Sequence, residues 1–232
     1  RRGAAKNKLL PLPHRRIEAW KYTDLRAALT EAYPPVRTTG LPIDAADVKK
    51  ALGAGVATLP AYRLVIVEGE LRADLSDFAG LKAAGVEAVS LSQALEKPSG
   101  WLKDALGTVN PRDDDPVLAL NTAFMAGGVL LRLKDELTLD KPIHILNLDG
   151  TGEAASIVTR NLVLAGTGAS AMVIESYGSL GMPALQRNAA TEVRVGDKAA
   201  IDHVKFQREG DGALHLGTSL VRLGADARYQ AF

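Results

Sequence analysis

Cysteine is the most informative residue type that this 232-residue chain lacks. Without Cys there is no disulfide, thiolate nucleophile or Cys-ligated metal site, so any metal ligand must be His, Asp or Glu. Long apolar runs are missing too, since no segment approaches the roughly 18 to 20 residues that a membrane-spanning helix needs. Charge of one sign is also scarce: 28 Lys and Arg face 27 Asp and Glu, a formal charge of +1. This balance predicts neither a nucleic-acid nor a membrane partner, because both select clustered basic surface.

Short helices and one hairpin are predicted for the first half of the chain. Asp44, Ser99 and Asp115 each precede a short helical pattern and are predicted helix caps, with Pro directly after the last of them. The apolar run at 63–67, followed by Glu-Gly, is typical of a strand that turns back on itself. We therefore predict an amino-terminal α+β region over residues 1–126.

The second half, residues 127–232, consists of apolar runs of strand length separated by glycine. The heptapeptide at 193–199, VRVGDKA, returns 28 residues later as VRLGADA at 221–227. A looser copy lies 30 residues upstream when Ala169 is aligned with Ala199. Repeats of this length indicate stacked supersecondary units, and strand units predict a mainly-β parallel β-helix, a solenoid. The chain ends inside a predicted strand, so we expect the solenoid to be incomplete at its carboxyl end.

One segment, NLVLAGTGASAMVIES at 161–176, matches the dinucleotide fingerprint at Gly166, Gly168 and Ala171. That fingerprint requires a helix after the glycines, but the residues that follow are poor helix formers. Glu192 is the nearest candidate for the ribose carboxylate, and it falls in a predicted strand. The two glycines are therefore predicted to form a tight corner between coils, and a nucleotide-binding α/β enzyme remains an alternative.

Candidates for metal binding and nucleophilic catalysis are weak. The four histidines show no metal-site spacing, and no Gly-x-Ser-x-Gly motif is present. His144 alternates with apolar neighbours, which favours a solvent-facing or hydrogen-bonded strand residue over a ligand. The triple acid at 113–115 is better explained by a helix cap than by a cation site.

One predicted strand carries several polar residues and is a stronger candidate for a functional site. Strand alternation places His203, Lys205 and Gln207 on one face, and Asp202 and Phe206 on the other. Two interpretations stay open. The polar residues form a solvated outer face over an apolar inner one, or they line a functional surface with polar groups from neighbouring strands.

The amino-terminal segment 15–29, RRIEAWKYTDLRAAL, carries the most specific motif in the chain. Its apolar and aromatic residues are expected to dock on a core, namely Ile17, Trp20, Tyr22, Leu25 and Leu29. The segment resembles the signature R-x-E-A-W-K-Y-T-x-L of SufD proteins, the scaffold branch of the SufB/SufD family in the Suf iron–sulfur cluster assembly system. The matching signature residues, interpreted as structural, are Arg16, Glu18, Trp20, Lys21, Tyr22 and Thr23.

The resemblance continues in order through most of the chain, including the segment at 161–176. It implies a right-handed parallel β-helix after a mostly helical region, and a cytoplasmic, non-catalytic scaffold. It also implies pairing with a SufB-like paralogue through the β-helix and coupling to a SufC-like ATPase through a carboxy-terminal region beyond residue 232. The signature and the lack of Cys favour SufD over SufB.

In that family the complex builds a nascent iron–sulfur cluster while the partner ATPase hydrolyses ATP, so no cofactor is assigned to this chain itself. The chain alone is a candidate homodimer. His203, Lys205 and Gln207 become candidates for polar lining along the route of sulfur or iron, because they can hold anionic or polar species by hydrogen bonds. The alternative function is a β-helix enzyme acting on polysaccharide, which would need an acid/base cleft.

Overall fold

The computed structural model describes residues 11–36, 42–98, 100–109, 115–150, 153–181 and 184–232. Within these ranges six short α-helices precede the main β structure: α1 (Leu25–Ala28), α2 (Ala45–Ala57), α3 (Phe78–Ala83), α4 (Leu91–Glu96), α5 (Gly100–Lys103) and α6 (Pro116–Phe124). Two single 3-10 turns lie at Glu18–Trp20 and Ala73–Leu75. None of the helices in these ranges is long and apolar enough to cross a bilayer.

Eleven strands in the described ranges form two sheets. They are β1 (Tyr62–Val67), β2 (Glu70–Arg72), β3 (Val86–Ser90), β4 (Val129–Leu133), β5 (Ile143–Asp149), β6 (Ala155–Ala165), β7 (Ser170–Ser179), β8 (Leu185–Val195), β9 (Ala200–Arg208), β10 (Ala213–Leu223) and β11 (Arg228–Ala231). One sheet has the order β11-β9-β7-β5-β1-β2 and the other β10-β8-β6-β4-β3. Among these described strands, only β2 and β3 pair antiparallel with their neighbours, and every other pairing is parallel.

The chain alternates between the two sheets from β4 onward, so each coil adds one strand to each sheet. About three coils stack in this way, which confirms the predicted parallel β-solenoid. The repeated corners share one left-handed residue, found in successive coils at Glu136, Gly168, Lys198 and Asp226, with φ between 56° and 67°. This shared conformation is the structural basis of the 28- and 30-residue repeat.

Close backbone stacking explains a feature that three of these four corners share, a glycine two residues before the left-handed position. A Cβ added at Gly196 would lie 2.8 Å from the carbonyl carbon of Gly166 in the coil below. That distance is shorter than a side-chain carbon tolerates, so the corner requires glycine at this point. The interpretation of Gly166 and Gly168 as a corner is confirmed, because β6 ends before them and β7 begins after them.

Several local predictions for the first half are confirmed. Asp44 caps α2 with a full capping box, and Gly53 interrupts that helix with φ of 73°. Asp115 accepts hydrogen bonds from the first free amides of α6. The strand at 63–67 turns back as the β1–β2 hairpin. Ser99, the predicted cap of the helix that became α5, lies outside the described residues, and so do the first two acids of the 113–115 triplet.

The signature segment is attached to the solenoid more loosely than its composition predicts. Leu25 is fully buried, but Tyr22 is 88% exposed and Ile17 is 39% exposed. The expectation that Tyr22 docks on the core is therefore wrong: Ile17 and Tyr22 flank the 3-10 turn at Glu18–Trp20 and lie outside α1, so they do not share a helix face with Leu25. The segment joins the solenoid further along, where the Val36 amide donates a backbone hydrogen bond of 2.9 Å to the Ser156 carbonyl.

The solenoid interior has an apolar half and a polar half. Near the corners the inward residues are aliphatic and form the main core, with Val163, Val173, Val193 and Ile201 each buried. Toward the opposite ends of the same strands, inward positions are buried but polar or aromatic: Asn147, Asp149, Glu175, Tyr177, Arg187, Thr191 and His203. Buried charges require partners, so this half is the natural place to look for a site.

Candidate functional site

Strand register brings the polar inward residues of β7 and β9 together. The two strands pair in parallel with Glu175 opposite Lys205 and Val173 opposite His203. Val173 belongs to the apolar core, so the residues two positions further along, on the same face, also point inward. Glu175 is fully buried and His203 is 2% exposed.

Glu175 is the centre of this group and its carboxylate has four polar partners. They are His203 Nε2 at 3.2 Å, Lys205 Nζ at 3.3 Å, the Tyr177 hydroxyl at 2.9 Å and the Thr191 hydroxyl at 2.5 Å. Burial by itself raises the pKa of this carboxyl, but the charge of Lys205, the contacts with His203 and the Thr191 hydrogen bond outweigh it. The pKa of Glu175 is therefore held well below its usual range, and the group stays ionised.

Tyr229, on β11, fixes the orientation of the His203 ring. Its hydroxyl lies 2.7 Å from His203 Nδ1. Burial and the charge of Glu175 raise the pKa of Tyr229 to about 12, so the phenol keeps its proton. On the other side of the ring, His203 Nε2 lies 3.2 Å from the Glu175 carboxylate, so the imidazole is held between side chains of the two strands that flank β9.

A second charged group lies beside the first. Arg187 donates to the Glu209 carboxylate at 2.5 Å and lies 3.5 Å from Asp149. The Ser179 hydroxyl donates to Asp149 at 2.6 Å, and His215 Nδ1 lies 2.7 Å from Glu209. Burial raises the pKa of Glu209, but His215 and Arg187 outweigh it and lower this pKa to about 2. For Asp149 burial dominates and raises the pKa.

Tyr177 joins the two groups into what we call the polar interior network. Its hydroxyl donates to Glu175, and its ring makes an edge contact with His215 at a centroid distance of 4.6 Å. The Arg187 guanidinium lies 5.3 Å from the same ring, within the range of a cation–π interaction. Burial and the charge of Glu175 raise the pKa of Tyr177 well above its usual value, so it remains a donor.

The network can bind and orient polar species. At neutral pH Glu175 stays ionised while Tyr177 and Tyr229 stay protonated. Lys205 is the partly accessible cation of the group, with 29% of its side chain exposed. The arrangement therefore offers a cation and fixed hydrogen-bond donors at the edge of a closed interior.

The three predicted site residues divide between the two groups. His203 and Lys205 both contact Glu175, while Gln207 is exposed and donates to Glu209 at 3.3 Å. The interpretation of this face as a solvated outer surface is wrong for His203, which is buried. The outward face of the strand instead carries Phe206, which is 40% exposed. The same outward face also carries Asp202, which pairs with Arg228 at 3.1 Å.

Sequence reasoning missed the residue at the centre of the network. The alignment of Ala169 with Ala199 offsets the two copies by 30 residues, and the same offset places Glu175 beside Lys205. The signal was therefore present in the repeat. Thr191 reaches the network from the other sheet, and no offset in the repeat indicates its contact. Tyr229 lies beside Ile201 at the 28-residue offset of the repeat, so the repeat also brings Tyr229 close to His203.

The remaining histidine candidate on a strand has a structural role. His144 is fully buried; its Nε2 lies 2.6 Å from the Ser176 hydroxyl, and Arg63 donates to its Nδ1 at 3.4 Å. Burial and the nearby charge of Arg63 lower the pKa of His144 to about 4, so the ring is neutral near pH 7. It is a hydrogen-bonded strand residue, one of the two possibilities predicted.

Nucleotide and metal sites gain no support from the geometry. No helix follows Gly168, and Glu192 lies in β8, where its carboxylate is bound by Arg160 at 2.6 Å and by the Gly107 amide at 2.9 Å. Asp115 is used as a helix cap. Among the residues that the structure describes, no three potential ligands are grouped so as to hold a metal ion.

Comparison with known protein families identifies the family to which the chain belongs. Residues 1–145 match the family model of the SufBD protein N-terminal region. Residues 147–232 match the model of the SUF system FeS cluster assembly SufBD core domain. The chain belongs to the SufBD family.

One curated relative adds detail. The chain is 26% identical over 231 residues to an iron–sulfur cluster assembly SufBD family protein from Synechocystis sp.. The alignment covers 95% of this chain and 49% of the relative, so the chain spans about half the length of the curated relative that it matches. The family match agrees with the resemblance found at the signature segment.

Proposed function

We propose that this chain is the SufD-type scaffold subunit of an iron–sulfur cluster assembly complex and performs no catalysis of its own. The observation that carries the proposal is the pair of family matches, which together cover nearly the whole chain. The signature at residues 16–25 and the lack of Cys support the SufD branch over SufB. In this proposal the chain works in the cytoplasm and pairs through residues 127–232 with a SufB-like paralogue. It couples to a SufC-like ATPase through a region beyond residue 232.

We place the role of His203, Lys205 and Gln207 within this proposal. The nascent cluster and its sulfur are cargo for the complex, and both are anionic or polar species. Lys205 offers an ammonium group at the accessible edge of the network, and Glu175 holds it and His203 in place. Gln207 adds an exposed amide beside Glu209. These groups could hold a passing anion by charge-assisted hydrogen bonds.

The first test concerns the assembly. The full-length protein is co-expressed with the SufB-like and SufC-like proteins of its host, and the mass of what elutes together is determined by light scattering. A complex that contains all three supports the scaffold proposal. A lone chain or homodimer, with both partners folded, contradicts it.

The second test concerns the lining residues. His203→Ala, Lys205→Ala and Gln207→Ala are combined in the full-length subunit, and cluster assembly on the purified complex is followed by absorbance and iron content. The matched control replaces the outward neighbours on the same strand, Asp202 and Phe206, by Ala. Slower assembly only in the inward variant, with the complex intact by mass, supports the lining role. Equal rates in both variants remove these residues from the proposed route.

The polysaccharide-enzyme alternative is not favoured, because the family matches place the chain in iron–sulfur cluster assembly. A screen for turnover of acidic glycans by the full-length protein is the direct check.

A further inference from the structure

A basic stripe runs across the outer face of the sheet that contains β4, β6, β8 and β10. In this face Arg132, Leu164, Arg194 and Arg222 are register partners on successive strands. Their chain neighbours point inward to the apolar core, so these four side chains point outward. Adjacent strands lie about 4.8 Å apart, which places Arg194 and Arg222 at direct neighbour distance.

The stripe begins in a cleft. A cavity of about 720 Å³ lies beside Arg132 and Leu164, between α3, β3 and the first corner of the solenoid. Two further cations line it, Lys82 from α3 and Lys134 from the corner, and Phe78 lines its apolar wall. Three cations from three different elements thus converge on one concave space, and Arg194 and Arg222 follow Leu164 along the same register row outside it.

These cations lack the partners that usually accompany such crowding. Within the described residues, Lys82, Arg132, Lys134 and Arg222 form no ion pair and no side-chain hydrogen bond, and Arg194 donates only to the carbonyl of Asp104 at 3.1 Å. Like charges side by side on a sheet are unfavourable. Arg nevertheless occurs at equivalent positions of the repeat, in "LRL" at 131–133, "VRV" at 193–195 and "VRL" at 221–223.

The two acidic residues of the cleft are already engaged. Glu87 is the register partner of Arg132, and its carboxylate accepts a hydrogen bond of 3.1 Å from the Trp101 indole. Asp135 accepts the backbone amide of Thr167 at 2.9 Å. The cleft thus has three cations and two carboxylates that already accept hydrogen bonds, and two more arginines lie further along the stripe. The surface is therefore net positive, and strand register fixes the spacing of its arginines.

We infer that this cleft and stripe, formed by Lys82, Arg132, Lys134, Arg194 and Arg222, dock an acidic peptide segment of a partner protein. The stripe crosses four strands, roughly 14 Å from the first to the last, which is the length of an extended segment of four or five residues. Carboxylates in such a segment can meet arginines in paired hydrogen bonds. The apolar wall at Phe78 and Leu164 accepts a neighbouring apolar side chain.

The test uses a fluorescein-labelled decapeptide in which glutamate alternates with alanine, titrated with the full-length protein and followed by fluorescence anisotropy. Replacing Arg132→Gln and Arg222→Gln together should weaken binding by about tenfold, because each exposed pair contributes a factor of roughly two to five. Neither side chain has a partner within the described residues, so the fold should be retained, as circular dichroism will show. Glu87→Gln should strengthen binding by about twofold, and added salt should weaken it.

The matched control is Arg15→Gln with Arg16→Gln, two exposed arginines of the amino-terminal segment with the same change of charge. The inference is overturned if this control weakens binding as much as the stripe variant, since net charge alone would then explain it. It is also overturned if the peptide does not bind at low salt, or if a single-stranded RNA decamer binds more tightly than the peptide. The assay uses the protein alone, so its result does not depend on assembly of the proposed complex.

Discussion

Replacing Lys205 by Met should destabilise the fold mainly through Glu175. Met keeps the apolar stem of the lysine but removes the ammonium group that lies 3.3 Å from a fully buried carboxylate. Breaking a buried ion pair from one side costs about 3–5 kcal/mol, because a charge is left without its partner. Here Lys205 is 29% exposed and His203 remains beside the carboxylate. We therefore expect a smaller loss of unfolding free energy, about 1–3 kcal/mol.

A double-mutant cycle separates this effect from simple loss of packing. Glu175→Gln removes the buried charge, so the double variant with Lys205→Met should lose less stability than the sum of the two single variants. We expect a coupling of about 1–2 kcal/mol, measured by urea unfolding followed by circular dichroism. Lys103→Met, at an exposed position of α5, is the control and should change little. Additivity of the two single effects within about 0.5 kcal/mol would refute the reasoning.

The same pair predicts a pH dependence. The pKa of Glu175 in the folded chain lies below its ordinary value of 4.5, so the unfolded chain takes up the proton first as pH falls. The stabilisation is therefore fully present above pH 4.5 and is lost as the pH falls below it. In Lys205→Met the pKa of Glu175 in the folded chain rises, so this carboxylate contributes less stability above pH 4.5. Less stability is then lost on acidification. The slope of unfolding free energy against pH should be shallower in Glu175→Gln.

Three further predictions follow from buried groups and close contacts. Gly196→Ala should lower the free energy of unfolding by about 1–3 kcal/mol in thermal unfolding, because the added methyl group overpacks the corner. Gly55→Ala in α2 is the control: its methyl group meets open space, so it should be neutral or stabilise by up to about 1 kcal/mol. Glu192→Gln should cost about 3–5 kcal/mol in urea unfolding, because it leaves the fully buried Arg160 without its carboxylate; a loss under 1 kcal/mol would contradict this. His144 should stay neutral in an NMR titration until near pH 4, and its contribution to stability, present above pH 6.5, should fade as the pH falls from 6.5 toward 4. A ring that titrates near 6.5 would show that the site is open to water.

The repeat carried most of the information about the fold. Glycine at 196 and 224 and the left-handed residues at the corners leave a pattern in the chain because each coil must turn in the same way. Helix caps at Asp44 and Asp115 were equally readable, since capping depends on residues two or three positions apart. Tyr22 was misjudged because the spacing of apolar and aromatic residues does not show whether they share one continuous helix; here a 3-10 turn and α1 are separate elements.

The interior network was only half predictable. Alternation along one strand placed His203 and Lys205 on the same face, but it could not say which face was the inside. A rule that puts polar residues outward favours the wrong answer in a solenoid whose interior is charged at one end. Arg187 lies in the other sheet, so its contact with Glu209 follows only from how the two sheets face each other, whereas the 28-residue offset already places Tyr229 beside Ile201 on β9.

The division of the solenoid interior also limits how the family can change its length. The apolar ends of successive coils, where Val163 lies opposite Val193, would accept one more aliphatic layer or one fewer. The same two coils also meet through Glu175 and Lys205, and a shift by one layer would set the carboxylate against a residue without a charge. Gain or loss of a coil should therefore be tolerated only where the facing ends of the neighbouring coils are uncharged, and the charged layers give these coils a fixed place in the stack.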